Sequence, residues 1–163
     1  MAHPHIKAIE EMNASSLIGI IEESKMTYVR ENLSIFLHSS HIKLLKQVKK
    51  HEKPHHKRIR VRQFEKAKKD DMFNMHLGLY LKKYKKLARN GLIEIDLEPK
   101  NGLSYDCSLT EKGAAVLDEI LALEAEWDDV VGIGEDDLEV IKKIALNSFE
   151  ITYNHKKKQG FIF

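Results

Sequence analysis

Cationic side chains are concentrated in the middle third of this chain, where they have the clearest chemical use. Residues 41–90 contain 17 basic and 4 acidic side chains, whereas residues 91–163 contain 7 basic and 16 acidic ones. Residues 1–40 carry 3 basic and 5 acidic side chains, so the formal net charge of +2 hides a strong segregation. Clustered cations bind polyanions because each cation that reaches a phosphate releases condensed counterions. The charge pattern alone is equally compatible with lysines on an ordinary solvated surface.

The nine histidines are a second group of candidate ligands. His38 and His41 are three residues apart, and His51, His55 and His56 lie in one predicted loop. Histidines at helical spacing can chelate zinc. The sequence has no HExxH motif and no cysteine pair, so surface histidines beside a polyanion site are the favoured interpretation. We therefore predict no metal site and no cofactor.

No pattern in the sequence indicates catalysis. There is no Ser-His-Asp set, P-loop or dinucleotide fingerprint, and the acidic residues Glu94, Asp96 and Glu98 alternate along a predicted strand. The single cysteine, Cys107, fits a reducing cytoplasm and a packed position in a strand. The apolar run Ser15–Ile21 is too short to span a bilayer, and the first residues do not resemble a secretory signal. We predict a non-enzymatic cytoplasmic protein without a membrane segment.

Apolar periodicity predicts the helices that come before the basic stripe. A first helix is predicted over residues 5–30. A second begins near Ser39 or Ser40 and ends before Pro54, with Ile42, Leu45 and Val48 facing inward. A short third helix is predicted from the apolar residues Val61, Phe64 and Ala67.

A fourth predicted helix, from about Asn74 to Asn90, has two distinct faces. Its predicted core stripe consists of Leu77, Leu81, Tyr84 and Ala88. On a wheel of about 100° per residue, a second group clusters a quarter to half a turn away. That group consists of Gly78, Lys82, Lys85, Lys86 and Arg89. The Asn90-Gly91 pair then predicts the end of the helix.

A hairpin and two more helices complete the predicted order. The strands are expected at Leu92–Glu98 and Leu103–Leu109, joined by a turn with the Asn-Gly pair Asn101-Gly102. Thr110 caps a long helix to about Val131, with Val116, Ile120, Leu123, Trp127 and Val130 as its stripe. Gly132 and Gly134 break the chain before a last helix over about residues 135–150. Helices followed by a hairpin are typical of the winged helix-turn-helix.

The segment Leu87–Gly113 resembles the wing of the MarR family of regulators. The matching residues are Leu87, Gly91, Leu92, Ile93, Leu109, Thr110 and Gly113. PadR-type relatives share this signature, but the long helix before the DNA-binding lobe favours MarR. The resemblance implies a mainly α fold with a small β-hairpin wing. It divides the chain into an N-terminal dimerisation helix (1–32), a winged helix-turn-helix lobe (33–109) and C-terminal dimerisation helices with a tail (110–163).

The resemblance also implies a homodimer that places two recognition helices in successive major grooves of double-stranded DNA. The apolar stripes of the terminal helices are too broad for a lone small lobe to cover, which agrees with a dimer. The predicted DNA contacts are Arg60, Arg62, Asn74, Met75, His76, Gly78, Leu79, Lys82, Lys83, Lys86, Arg89, Lys100 and Asn101. The wing tip offers only Lys100 and Asn101 where the family pattern has an arginine.

Three functions follow from these observations. The leading one is a sequence-specific, dimeric transcriptional regulator that a small-molecule effector releases from DNA. The second is a winged helix used for protein interaction or DNA architecture without sequence readout, because the wing strands are acidic. The third is a zinc-responsive regulator that uses the histidines.

Overall fold

The computed structural model describes residues 4–50, 57–60, 82–100 and 104–158, and all structural statements below concern those residues. The helices before the hairpin are α1 (Pro4–Glu10), α2 (Ala14–Asn32), α3 (Ser39–Lys50) and α4 (82–89). The strands are β1 (Lys57–Arg60), β2 (Ile93–Lys100) and β3 (Ser104–Leu109). The last helices are α5 (Glu111–Val131) and α6 (Glu135–Lys158). The predicted mainly α class with a small hairpin is confirmed.

The prediction of one helix over residues 5–30 is wrong, because the chain breaks between α1 and α2. The Asn13 side-chain oxygen accepts the backbone N–H of Ser16 at 2.9 Å and caps the start of α2. An N-cap residue has extended backbone angles, here φ −73° and ψ 165°, which no continuous helix can contain. Asparagine is a preferred N-cap, so it sets the break.

Replacing Asn13 by Ala is expected to destabilise the chain by about 0.5–2 kcal/mol, because the Ser16 N–H loses its acceptor. Urea unfolding followed by circular dichroism measures this change. The matched control is Ser15→Ala, since no capping bond involves that exposed side chain. Equal stability of the two variants would contradict the capping role of Asn13.

Helix α3 begins where the sequence indicates. Its first residue is Ser39, and the His38 carbonyl accepts the N–H groups of His41 at 3.0 Å and Ile42 at 3.1 Å. The predicted inward residues Ile42, Leu45 and Val48 are all buried. Helix α3 ends at Lys50, before Pro54 as predicted.

The sheet has three strands in the order β1-β3-β2, and both pairings are antiparallel. Strand β1 was not predicted, because its four residues KRIR have no extended apolar alternation. It is defined by its pairing with β3, in which Lys57 lies opposite Cys107 and Arg60 opposite Ser104. The predicted third helix over Val61, Phe64 and Ala67 lies outside the described residues.

The β2–β3 hairpin is longer than predicted at its tip. Pro99 and Lys100 belong to β2 rather than to the turn, and Lys100 pairs with Ser104. The register shifts between Asp96 and Lys100. Proline has no N–H to donate to a ladder, so Pro99 fits an irregular part of the strand pair.

The C-terminal helices are continuous and long. Gly132, with φ +83°, ends α5, and its N–H bonds the Asp129 carbonyl while the Ile133 N–H bonds the Asp128 carbonyl. This pair of bonds is the glycine C-cap that the predicted break requires. Helix α6 continues to Lys158, eight residues beyond the predicted end at 150. Within the predicted apolar stripe of α5, Val116 and Ile120 are buried in the single chain, whereas Val130 is 69% exposed.

The chain divides into two compact units, residues 1–125 and 126–163. The first unit has one apolar core, to which α2, α3, α4, the hairpin and α5 all contribute. Its fully buried side chains include Val29, Leu45, Leu87, Leu92 and Ile120. Among the described residues, His41 is the only buried residue with a polar side chain. No helix in the described ranges is both long and apolar enough to cross a membrane.

Candidate nucleic-acid interface

Helix α4 has a buried face and an opposite cationic face. Tyr84 and Leu87 are 2% and 0% exposed, so they fix the helix in the core. Lys82, Lys85, Lys86 and Arg89 are all exposed. At about 100° per residue, these four cations span an arc of roughly 100° that is centred opposite the two buried residues. We call this group of four the cationic face.

Of the predicted inward stripe, Leu77 and Leu81 lie outside the described residues, Tyr84 is buried as predicted, and the remaining position differs. Leu87 is fully buried, whereas Ala88, which was predicted to face inward, is only half-buried. The larger side chain takes the deeper position because burying it removes more apolar surface from water. The four predicted cations still share one face when Leu87 replaces Ala88 in the core, and the fifth member of the predicted group, Gly78, lies outside the described residues.

A glycine turn ends α4 and starts the hairpin. Gly91 has φ +74°, a left-handed conformation that favours glycine. The Gly91 N–H bonds the Ala88 carbonyl, and the Leu92 N–H bonds the Leu87 carbonyl, both at 3.0 Å. These two bonds form a Schellman motif, which satisfies the last carbonyls of the helix. Arg89 therefore lies in the last turn before the chain enters β2.

The start of α5 fixes this turn in place. The Thr110 hydroxyl donates to the Gly91 carbonyl and accepts the Gly113 N–H at 3.0 Å. Gly113 lies so close to the backbone of Leu92 that a Cβ added to Gly113 would be 1.8 Å from the Leu92 carbonyl oxygen. Thr110 and Gly113, two of the residues that carry the resemblance, thus act together to hold the end of α4 against the start of α5. They position the cationic face without belonging to it.

The cationic face has no internal counter-charge in the described part of the chain. No carboxylate forms an ion pair with Lys82, Lys85, Lys86 or Arg89 there. Two carboxylates of α5 are engaged elsewhere. Glu119 accepts the Ser34 N–H at 2.6 Å and its hydroxyl at 2.7 Å, and Glu124 pairs with Lys46 at 2.5 Å. No described carboxylate therefore competes with an external polyanion for these four cations.

A buried histidine lies behind the cationic face. His41, in the first turn of α3, is 6% exposed, and its Nδ1 atom has no hydrogen-bond partner. Burial is the largest cause that lowers the pKa of this imidazole below its ordinary value. The positive charge of Lys86 lowers the pKa further, as do His38 and Lys83. The sequence offered one sign of this burial, since His41 shares the i, i+4, i+7 stripe with Leu45 and Val48.

The structure describes only some of the predicted contact residues. Lys82, Lys86 and Arg89 are exposed, and Lys83 is half-buried. Lys85, which was not among the predicted DNA contacts, is also exposed and belongs to the cationic face. Arg60 ends β1 and Lys100 ends β2, so β3 separates them in the sheet order. The predicted contacts outside the described residues are Arg62, Asn74, Met75, His76, Gly78, Leu79 and Asn101.

The histidines do not form a metal cluster within the described ranges. The His38 and His41 ring centroids are 5.7 Å apart. No group of three His, Cys, Asp or Glu residues in this part of the chain is arranged to hold an ion. His51, His55 and His56 lie outside it.

Comparisons with known proteins identify the fold. No family model matches the chain, and no curated protein matches it by sequence. A crystal structure of MarR superposes with a TM-score of 0.68 at 21% identity, covering 91% of this chain and 96% of the other. A mutant MarR from E. coli complexed with operator DNA gives 0.56 at 16% identity, covering 90% and 99%. A MepR–DNA complex from S. aureus gives 0.58 at 16% identity, covering 86% and 98%.

Proposed function

We propose, from the premise that this chain has the fold of the MarR regulators, that it is a sequence-specific duplex-DNA-binding transcriptional regulator that acts as a homodimer. The observation that carries the proposal is the exposed cationic face of α4, directly before the hairpin. In winged helix-turn-helix proteins the helix before the hairpin enters the major groove. The proposed activity is non-enzymatic, and the proposed location is the cytoplasm.

The cationic face supports phosphate contacts rather than base readout. Lysine and arginine supply most contacts to the DNA backbone, which position a protein on the duplex. Lys82, Lys85, Lys86 and Arg89 occupy the C-terminal half of the helix predicted from residue 74. We therefore propose that sequence is read by the earlier part of that helix, through Asn74, Met75, His76 and Leu79. Two of the similar solved structures, those of MarR and MepR, are complexes with DNA.

Exposed apolar side chains support the homodimer. Eighteen large hydrophobic residues are exposed in the described part of the chain, and eight of them lie on α6. The eight are Leu138, Val140, Ile141, Ile144, Leu146, Phe149, Ile151 and Tyr153. Apolar surface of this extent on a soluble monomer marks an interaction site. A second copy of the chain is the proposed partner, because a self-complementary helical surface closes a symmetric dimer.

Replacing Ile141 and Phe149 together by Glu is expected to convert the dimer to a monomer, because buried carboxylates without partners oppose association. Sedimentation velocity should give a wild-type mass of twice the 18.9 kDa chain and a variant mass near one chain. The control is Lys143→Glu, which adds an acidic group at an exposed polar position of the same helix. A monomeric wild type at micromolar concentration would contradict the homodimer.

An open cleft along one face of α2 is the candidate position for a small ligand. It has a volume of about 400 Å³ and is lined by Ile20, Glu23, Ser24, Thr27, Tyr28 and Glu31. All six lining residues belong to one helix, so the cleft is open to solvent on its other sides. We propose this cleft as the effector site. An effector bound there should raise the melting temperature and lower the DNA affinity, which a thermal-shift screen followed by DNA titration measures.

Selection of bound duplexes from a random pool tests the proposed function. A regulator of this kind should enrich a palindromic sequence with two half-sites about 10 base pairs apart. It should bind the enriched duplex at least about 1,000-fold more tightly than a scrambled duplex of equal length. Equal affinity for all duplexes would instead support the architectural or protein-interaction alternative. Absence of duplex binding at low salt would contradict the regulator and the architectural function together.

A further inference from the structure

His41 occupies an unusual position for a titratable group. The side chain is 6% exposed, and it lies on α3, whose Ile42 and Leu45 enter the same core as Leu87 of α4. The Nδ1 atom is inaccessible to solvent and has no hydrogen-bond partner. On its outer side, the ring lies 5.7 Å from the exposed His38 ring. A neutral imidazole tolerates this environment, whereas an imidazolium needs acceptors for both N–H groups.

Every charged group that acts on His41 within the described residues is a cation. Lys86 and Lys83 act from α4, and His38 acts from the residue before α3. No carboxylate acts on the ring in that part of the chain. The cations that serve the proposed DNA contact thus also oppose protonation of the histidine behind them.

We propose that His41 makes the shared core of α3 and α4 sensitive to protons, so that acidification loosens the DNA-binding lobe and releases duplex DNA. The inference rests on the proposed function, because it assigns a regulation to the same α4 surface. Protonation would bury a charge that has no acceptor, so the ring must leave the core and α3 must shift from α4. The extra positive charge also attracts DNA, but salt screens that attraction, whereas no described carboxylate offsets the buried charge.

The direction of the pH dependence follows from linkage. Because the pKa of His41 is lowered in the folded chain, the unfolded chain takes up a proton more readily. The stability that the neutral ring contributes is complete above the unfolded value of about 6.5. It is lost as the pH falls below that value towards the lower folded pKa.

The test compares wild type with His41→Phe, which keeps an aromatic ring and cannot titrate. Melting temperature and affinity for the selected duplex are measured on the full chain from about pH 7.5 to about pH 5.5, the range in which histidine titrates. Wild type should lose affinity by about fivefold or more across this range, together with melting temperature. His41→Phe should lose clearly less of both. The control is His5→Phe on the exposed helix α1, which should respond like wild type.

A second measurement keeps the proposal testable if His41→Phe does not fold. Nuclear magnetic resonance of the wild-type imidazoles should show one ring, absent from the His41→Gln spectrum, that titrates below the ordinary histidine range. Equal pH responses of wild type and His41→Phe, or an ordinary titration of the His41 ring, would overturn the proposal. Failure to bind any duplex at about pH 7.5 would contradict the proposed function instead, while the melting curves would still test His41.

Discussion

Replacing Lys82, Lys85, Lys86 and Arg89 together by Gln is expected to weaken duplex binding by roughly 100-fold or more at about 0.1 M salt. The four side chains are exposed on one face of α4 and have no carboxylate partner in the described part of the chain. Each phosphate contact that is lost also removes about 0.9 from the slope of log affinity against log salt concentration. Fluorescence anisotropy over a salt series should therefore show a weaker and flatter dependence for the variant, with the slope reduced by about 2–4.

The matched control removes the same charge from other surfaces. Lys7, Arg30, Lys142 and Lys143 are all exposed and lie outside α4, and their joint replacement by Gln also lowers the net charge by four. This control should retain most of the wild-type affinity, because a contact requires a phosphate within reach whereas distant charges are screened. If both quadruple variants lose affinity equally, the effect belongs to net charge and the proposed interface is wrong.

Gly113→Ala adds one methyl group and is expected to lower the free energy of unfolding by about 3 kcal/mol or more. The added Cβ would lie 1.8 Å from the Leu92 carbonyl oxygen and 2.8 Å from the Leu92 carbonyl carbon. Both atoms are backbone, so the start of α5 must move away from the end of α4. The Gly113 N–H would then lose its bond to the Thr110 hydroxyl. Urea unfolding at one protein concentration measures the change, and the melting temperature should fall by about 6–12 °C.

The control for Gly113→Ala is the same substitution at Gly19. Gly19 lies inside α2, and a Cβ added there meets no atom within 4 Å. Gly19→Ala should therefore be neutral or stabilise the chain by up to about 1 kcal/mol, because alanine is the better helix former. A wild-type stability for Gly113→Ala would show that the close approach to Leu92 is absent in solution.

The sequence predicted the wing and its supports because those features are local. The Asn90-Gly91 pair ends α4 through bonds to Leu87 and Ala88, and Thr110 caps α5 through the Gly113 N–H within one turn of helix. The contacts of Thr110 with Gly91 and of Gly113 with Leu92 join distant positions, and only the resemblance indicated those residues. The left-handed conformation of Gly91 and the cap at Thr110 follow from the residue types themselves. The fold class and the cationic face were predictable for the same reason.

Features that depend on distant contacts were not predictable in this way. Strand β1 is defined by its partner β3, and its own residues KRIR do not form an amphipathic pattern. The choice of Leu87 over Ala88 for the core depends on how far α4 rotates against its neighbours. Asn13 caps the start of α2 and thereby separates α2 from α1. The apolar pattern of residues 5–30 did not indicate this break. Helix α6 passes residue 150 because neither proline nor glycine occurs before Gly160.

Acetylation of lysines by a water-soluble reagent, with and without the selected duplex, tests most directly whether DNA covers the cationic face. Mass spectrometry reads the modification rate of each lysine separately. We predict that Lys82, Lys85 and Lys86 react several-fold more slowly when DNA is bound, because phosphate contacts cover their amines. Lys142 and Lys143 on α6 should react at unchanged rates. Unchanged rates at Lys82, Lys85 and Lys86 in a sample saturated with duplex would contradict the proposed interface.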